Sequence, residues 1–295
     1  MPDGITVLRP APSVRLPAIH RLRRQIRSLL AFALLGLLLA FVLLPFFWIV
    51  STSLKTQAQT FIVPVQWLPA HPTVQAYLEM WAHHPYQWYF LNSALVAGAT
   101  TLIAVAASCL AAYGFSRFRF RGDQWLLLGM IGTQMVPVIL LLLSYFKAMS
   151  ALHLFNTLTA LVIAYTAYVL PYTAWILKGY FDSIPIDIDE AALIDGCSHL
   201  SAFLRAVLPV ALPGLVATAI FAFLLGWNEF TFAYVLTSTE SKYTISVGIA
   251  HLFGEYSVSW NELMAVGLVA SIPPIILYFF TSRFLVSGLT AGALK

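Results

Sequence analysis

Three groups of residues in this chain combine types and spacings that could do chemistry. The first is Glu190-Ala191-Ala192, followed by Gly196 and then Leu208-Pro209. It reads as a short acid-started helix, a glycine turn and a second helix with an apolar side. Such a surface suits docking better than bond-making. The second is Trp227-Asn228-Glu229, an indole, a carboxamide and a carboxylate in succession. Together they could stack on and hydrogen-bond a hydroxyl-rich ring. The third is His83-His84, but adjacent side chains in an irregular segment rarely converge on one ion, and exposed loop residues are expected there. Cys109 and Cys197 are the only cysteines. One falls in an apolar run and the other in a polar insert, so neither a structural disulfide nor a metal site is expected. The motifs GxxxxGK[ST], HExxH, GxSxG and CxxC do not occur. No catalytic residue is assigned, and ATP binding of the P-loop kind is not expected of this chain.

The elements that must position these groups are membrane helices. The 295 residues are 60% hydrophobic and 9% charged, with a mean hydropathy of +0.83. Soluble domains carry about 25% charged residues. Six apolar runs approach or exceed the ~20 residues that cross a bilayer core, at 29–50, 90–113, 125–146, 156–177, 209–236 and 263–285. A β-barrel would need alternating segments of about ten residues, which these are not. The fold class is therefore an all-α polytopic membrane protein with six transmembrane helices. Pro45, Pro137, Pro171, Pro273 and Pro274 fall inside spans, where kinks rather than breaks are expected.

Six spans place both termini on one face. That face carries six N-terminal arginines, Arg117, Arg119, Arg121, Lys178, Arg205, Arg283 and Lys295, against Lys55, Lys147 and Lys242 on the other. Basic residues accumulate on the cytoplasmic side, so both termini and the polar insert 187–213 are expected there. The net charge of +4 then serves topology, and nucleic acid is not an expected partner. The expected organisation is a cytoplasmic segment 1–27, a six-helix transmembrane bundle 28–286 with its insert at 187–209, and a tail 287–295. The aromatic-rich segments 51–89 and 237–262 lie on the far face, as an interfacial belt, a docking surface for an outside partner, or both.

Within the insert, Asp187 is read as the N-cap of a helix over 188–195, with Glu190 completing a capping box. Gly196 is read as its left-handed C-cap. A second short helix over 198–207 follows, and Pro209 starts the fifth span. Glu229 lies 20 residues beyond Pro209, roughly 30 Å along an ideal helix. It is the one acidic residue placed inside a span, and intramembrane ionisable groups are functional candidates. A turn at the end of that span is the competing structural reading. Gln134 and Asn92 are weaker candidates, since polar groups in bundles often bond a neighbouring helix.

The spacing Glu190-Ala191-Ala192, Gly196, Leu208-Pro209 resembles the signature of ABC importer permeases, with Ala206 where the family carries Ile. Asn92-Ser93, the run Ala111 to Phe118, Gln134-Met135-Val136-Pro137 and Trp227-Asn228-Glu229-Phe230 are similar to the carbohydrate-uptake branch. So is the tail from Gly288 to Lys295, which is like that of maltose-type (MalG-like) permeases but lacks one final glycine. The resemblance implies the type I importer fold in a multi-pass prokaryotic plasma membrane protein. It implies apolar docking of an ABC ATPase dimer by Ala191, Ala192 and Leu193, a polar contact by Glu190, and tail contacts from Gly288, Thr290, Gly292 and Lys295. It also implies a second (MalF-like) permease and an extracytoplasmic sugar-binding protein. No cofactor is expected on this chain, with ATP and Mg held by the ATPase. The expected function is a sugar permease working by alternating access, the substrate path passing Trp227, Asn228, Glu229, Gln134 and Asn92. Glycerol-phosphate or polyol transport is the alternative, and a self-contained secondary transporter a more distant one.

Overall fold

A computed structural model describes residues 18–253 and 258–293, with side chains over 25–253 and 258–280. In chain order the helices are α1 (Ala18–Ser53), α2 (Gln57–Thr60), α3 (Gln75–His83), α4 (Tyr86–Arg117), α5 (Asp123–Gly132) and α6 (Val138–Ala151). They continue as α7 (Leu158–Asp182), α8 (Asp187–Ile194), α9 (His199–Ala202), α10 (Leu208–Asn228), α11 (Thr231–Leu236), α12 (Ile245–Ala250) and α13 (Trp260–Ala293). Among the described residues, five helices are long and apolar enough to cross a membrane, and a bent pair makes a sixth candidate.

The core is α4 packed against α7 and α10. These spans combine apolar surface with small residues, so their backbones approach closely. A Cβ on Gly226 of α10 would come within 3.2 Å of the Ala97 Cα of α4, and one on Gly214 would overlap the Tyr180 ring of α7. One end of the bundle is filled by Tyr86, Tyr89, Trp227 and Ile245. The other is filled by Tyr113, Leu177, Phe181, Phe203 and Val207. By contrast, none of the most apolar stretch of α1 is buried within the chain.

Three expectations about the spans are corrected. The third is broken: α5 and α6 meet at 98°. A short 3₁₀ turn, Thr133–Met135, ends α5, Val136 is extended (ψ 121°), and Pro137 becomes the N-cap of α6. The residue before proline resists the helical region, so at 136–137 the chain turns instead of kinking. The fifth span ends at Asn228 rather than at 236, and a separate α11 follows. Pro209 does stand in the first turn of α10, but the helical run begins earlier. A π-turn over Phe203–Val207 joins α9 to α10, giving one apolar helical run, His199–Asn228. The boundaries at 27/28 and 286/287 both fall inside continuous helices, α1 and α13. Residues 1–17 and Lys295 lie outside the described residues.

Candidate functional site

The polar insert is built as two short helices, but its start differs from the expected capping box. The N-cap of α8 is Ile186, with no side-chain hydrogen bond, and Asp187 is already helical. Asp187, Asp189 and Glu190 crowd the first turn, where the partial positive charge of the helix end favours carboxylates. The other end matches a Schellman motif. Gly196 has φ 85°, its N–H donates to the Leu193 carbonyl at 3.0 Å, and the Cys197 N–H donates to Ala192 at 3.0 Å. Ser198 then caps α9, accepting from the Ser201 N–H at 3.3 Å.

What fixes α8 to the bundle is a buried ion pair. Arg117, at the end of α4, places Nε 2.8 Å from one Asp189 carboxylate oxygen. The Tyr113 hydroxyl donates to the other at 2.6 Å. The rest of the guanidinium donates to the Phe181 and Ile184 carbonyls at 3.1 and 3.0 Å, in the last turn of α7 and just beyond it. The Tyr113 ring lies 4.5 Å from that of Phe203 and 5.9 Å from that of Phe181. The ends of α4 and α7, the first turn of α8 and the π-turn leading into α10 thus meet in one knot. Tyr113 entered the sequence reading only as part of a motif, Arg117 through that motif and the charge count, and Asp189 was not singled out. The available signal was an arginine ending one span and an acid four residues past a proline, too common a pattern to pair them by eye.

Opposite this knot the insert is open. Glu190 and Ala191 are exposed, Ala192, Leu193 and Leu208 half-buried, and Gly196 and Pro209 exposed. Ile194 is 85% exposed, and Leu200 and Leu204 lie bare beside it. An apolar patch rimmed by acids, on a rigidly held support, is the form of a protein-docking surface. Gly288, Thr290 and Gly292 fall within α13.

The other expected residues separate into two kinds. A cavity of about 420 Å³ is lined by Val138, Tyr168, Phe221, Asn228, Glu229 and Phe230, among others. Asn228 donates to the Leu224 carbonyl of its own helix at 2.8 Å and is exposed. Glu229 lines the cavity, yet its carboxylate accepts the Phe232 N–H at 3.0 Å and the Ala233 N–H at 3.3 Å. It caps α11, so the structural reading of a turn describes its carboxylate. Trp227 does not line the cavity. It is 4% exposed, stacked on Phe223 at 5.7 Å, and its indole N–H donates to the Ala270 carbonyl at 3.2 Å. Gln134 donates to the Tyr168 carbonyl at 3.3 Å, three residues before Pro171, where a proline disturbs the helical ladder. Asn92 is buried and donates to the Ser241 and Tyr243 carbonyls at 3.0 and 2.9 Å, pinning the segment 237–244. Tyr168 and Phe230, not singled out in the sequence, bring aromatic surface to the cavity.

Similarity to known proteins agrees with this architecture. Residues 104–290 match the family described as binding-protein-dependent transport system inner membrane component. The chain is 36% identical over 266 residues to the sulfoquinovosyl glycerol transport system permease protein SmoH of Agrobacterium fabrum, covering 90% of this chain and 93% of that one. It is 34% identical to the trehalose/maltose transport system permease protein MalG of Thermococcus litoralis, covering 93% and 99%. A chain in the crystal structure of a bacterial ABC transporter importing the polysaccharide alginate superposes with a TM-score of 0.76. The identity is 20%, with 88% of this chain and 96% of that one covered, so that likeness speaks for the fold. With its broken spans, its knotted polar insert and a family match across most of its length, this chain belongs to the binding-protein-dependent transport system inner membrane components, the multi-pass permease subunits of ABC importers.

Proposed function

We infer that this permease moves a sugar or sugar-like solute, powered by a separate ATPase dimer that docks on α8. The observation carrying this reading is the Arg117–Asp189 knot beneath an exposed apolar patch. A push on Ala191, Ala192, Leu193 or Ile194 is delivered through Asp189 to α4 and through Phe203 to α10, the two helices at the centre of the bundle. Glu190 supplies a polar contact at the rim, Gly196 sets the turn, and Leu208-Pro209 join the insert to the moving span. Gly288, Thr290, Gly292 and Lys295 are assigned to a second ATPase contact. ATP and Mg belong to that partner, and this chain binds no cofactor of its own.

The bias of basic residues argues that both termini and α8 face the cytoplasm. The segments 54–85 and 237–262 then face outward, toward an extracytoplasmic binding protein and beside a second permease. The cavity of Tyr168, Asn228 and Phe230 suits a sugar, because aromatic faces pack against the C–H surface of a pyranose and a carboxamide bonds its hydroxyls. Relatives transporting sulfoquinovosyl glycerol and trehalose or maltose favour a glycoside over a free polyol.

Reconstitution tests this. Proteoliposomes holding this chain, its second permease and its ATPase are expected to accumulate a labelled disaccharide only with binding protein and ATP. Accumulation by this chain alone, driven by an ion gradient without ATPase, would overturn the reading.

A further inference from the structure

A second cavity, of about 220 Å³, lies where α1 ends and α13 begins. About 10–15 Å³ of such space suffices for one water, so it holds more than a solvent molecule. Its walls include Trp48, Thr52, Lys55, Gln59, Gln66 and Trp260.

Lys55 is 2% exposed. Its ammonium donates to the Gln66 carbonyl at 2.5 Å and sits 4.3 Å from the centre of the Trp48 ring. No carboxylate among the described residues lies within ion-pair distance of it. One backbone carbonyl and an aromatic face leave at least one ammonium proton without an acceptor. Burial lowers its pKa from the ordinary value. Beside it, the Thr52 hydroxyl and the Gln66 carboxamide oxygen are buried with no hydrogen-bond partner, and Thr52 is 3% exposed. Proteins rarely leave buried polar groups unmet, and buried charges are normally paired. The set asks for an anion carrying hydrogen-bond donors.

Position narrows the source. α1 and α13 are both membrane-length helices, and the cavity joins the end of one to the start of the other. It therefore lies at the edge of the hydrocarbon layer, where headgroups sit. Trp48, Trp67 and Trp260 mark that level as an aromatic belt does. On α1, the exposed Leu44 and Phe47 lie just below, open to acyl chains.

We propose that this cavity is a phospholipid headgroup site, in which Lys55 and Thr52 bind the phosphodiester and Gln66 accepts from a headgroup hydroxyl or ammonium. Phosphatidylglycerol meets these demands. Phosphatidylcholine, which offers the phosphate but no donor and carries no net charge, does not.

The test uses the full chain in nanodiscs of mixed phosphatidylglycerol and phosphatidylcholine, with retained lipid measured by mass spectrometry after delipidation. Wild-type protein is expected to enrich phosphatidylglycerol over phosphatidylcholine by about tenfold, the scale of one charge-assisted hydrogen bond. K55Q should abolish the enrichment. Because Lys55 also holds the Gln66 carbonyl, T52V serves as a second variant that leaves this anchor intact, and it should weaken the enrichment several-fold. Equal retention of both lipids by wild type, or enrichment unchanged in both variants, would overturn the assignment. So would competition by inorganic phosphate that removes the enrichment at millimolar concentration, which would mark the occupant as a soluble phosphate.

Discussion

Substituting Asp189 by Asn tests the knot that ties α8 to the bundle. The change keeps size and shape but removes the charge that balances Arg117. Both side chains are under a tenth exposed, at 8% and 9%, so solvent screens little of the loss. Arg117 retains its bonds to Phe181 and Ile184, and the Tyr113 hydroxyl can still donate to the amide oxygen. What disappears is one charge-assisted contact, worth about 1.5–3 kcal/mol. That is about one to two orders of magnitude in the equilibrium between docked and undocked α8. Amide hydrogen exchange reads this equilibrium directly when opening is local. Exchange across Asp187–Ile194 should accelerate by that factor, while the Leu161–Tyr165 core of α7 stays unchanged. In the assembled transporter, solute moved per ATP hydrolysed should fall. E190Q, on the exposed side, should leave exchange in α8 as it was. Combining Asp189→Asn with Arg117→Gln removes the orphaned cation and should recover part of the loss, a non-additivity expected of contacting residues. Unchanged α8 exchange in Asp189→Asn would refute the view that this ion pair holds the helix.

Three further outcomes are expected. Gly196→Val forces a β-branched residue to φ 85°, costing roughly 1–2 kcal/mol. Membrane insertion should be normal but ATPase stimulation by solute-loaded binding protein reduced. Asn92→Ala leaves the Ser241 and Tyr243 carbonyls without their donor and should destabilise the detergent-solubilised protein by about 1–3 kcal/mol in denaturant melts, with solute affinity in the assembled complex little changed. Asn228→Ala, at the cavity wall, should raise the solute concentration for half-maximal uptake without altering stability, whereas Trp227→Phe should lower thermal stability and leave that concentration unchanged.

The membrane class, the number of apolar runs and the insert were legible in the sequence because each is written in local composition. A run of some twenty apolar residues has little alternative to a bilayer helix, and Gly196 stands just past the C-cap because few other residues tolerate a left-handed backbone there. The breaks were less legible. Pro137 kinks or breaks a helix according to whether neighbours re-satisfy the freed backbone groups, which depends on residues distant in the chain. The capping box at Asp187 failed for a similar reason: Asp189 and its buried partners set where α8 starts, over a weaker local preference.

The candidate path divides along the same line. Trp227, Asn228 and Glu229 are adjacent in sequence, yet a helix turn sends the indole into the bundle, leaves the carboxamide at a cavity and uses the carboxylate to cap α11. The sequence alone determined which chemical groups were available and that they lay near a membrane. Tertiary structure decided which faced solute, which faced protein and which tied the moving insert to its helices. Hydrogen-bond satisfaction in a low-dielectric interior depends on what each group meets in space.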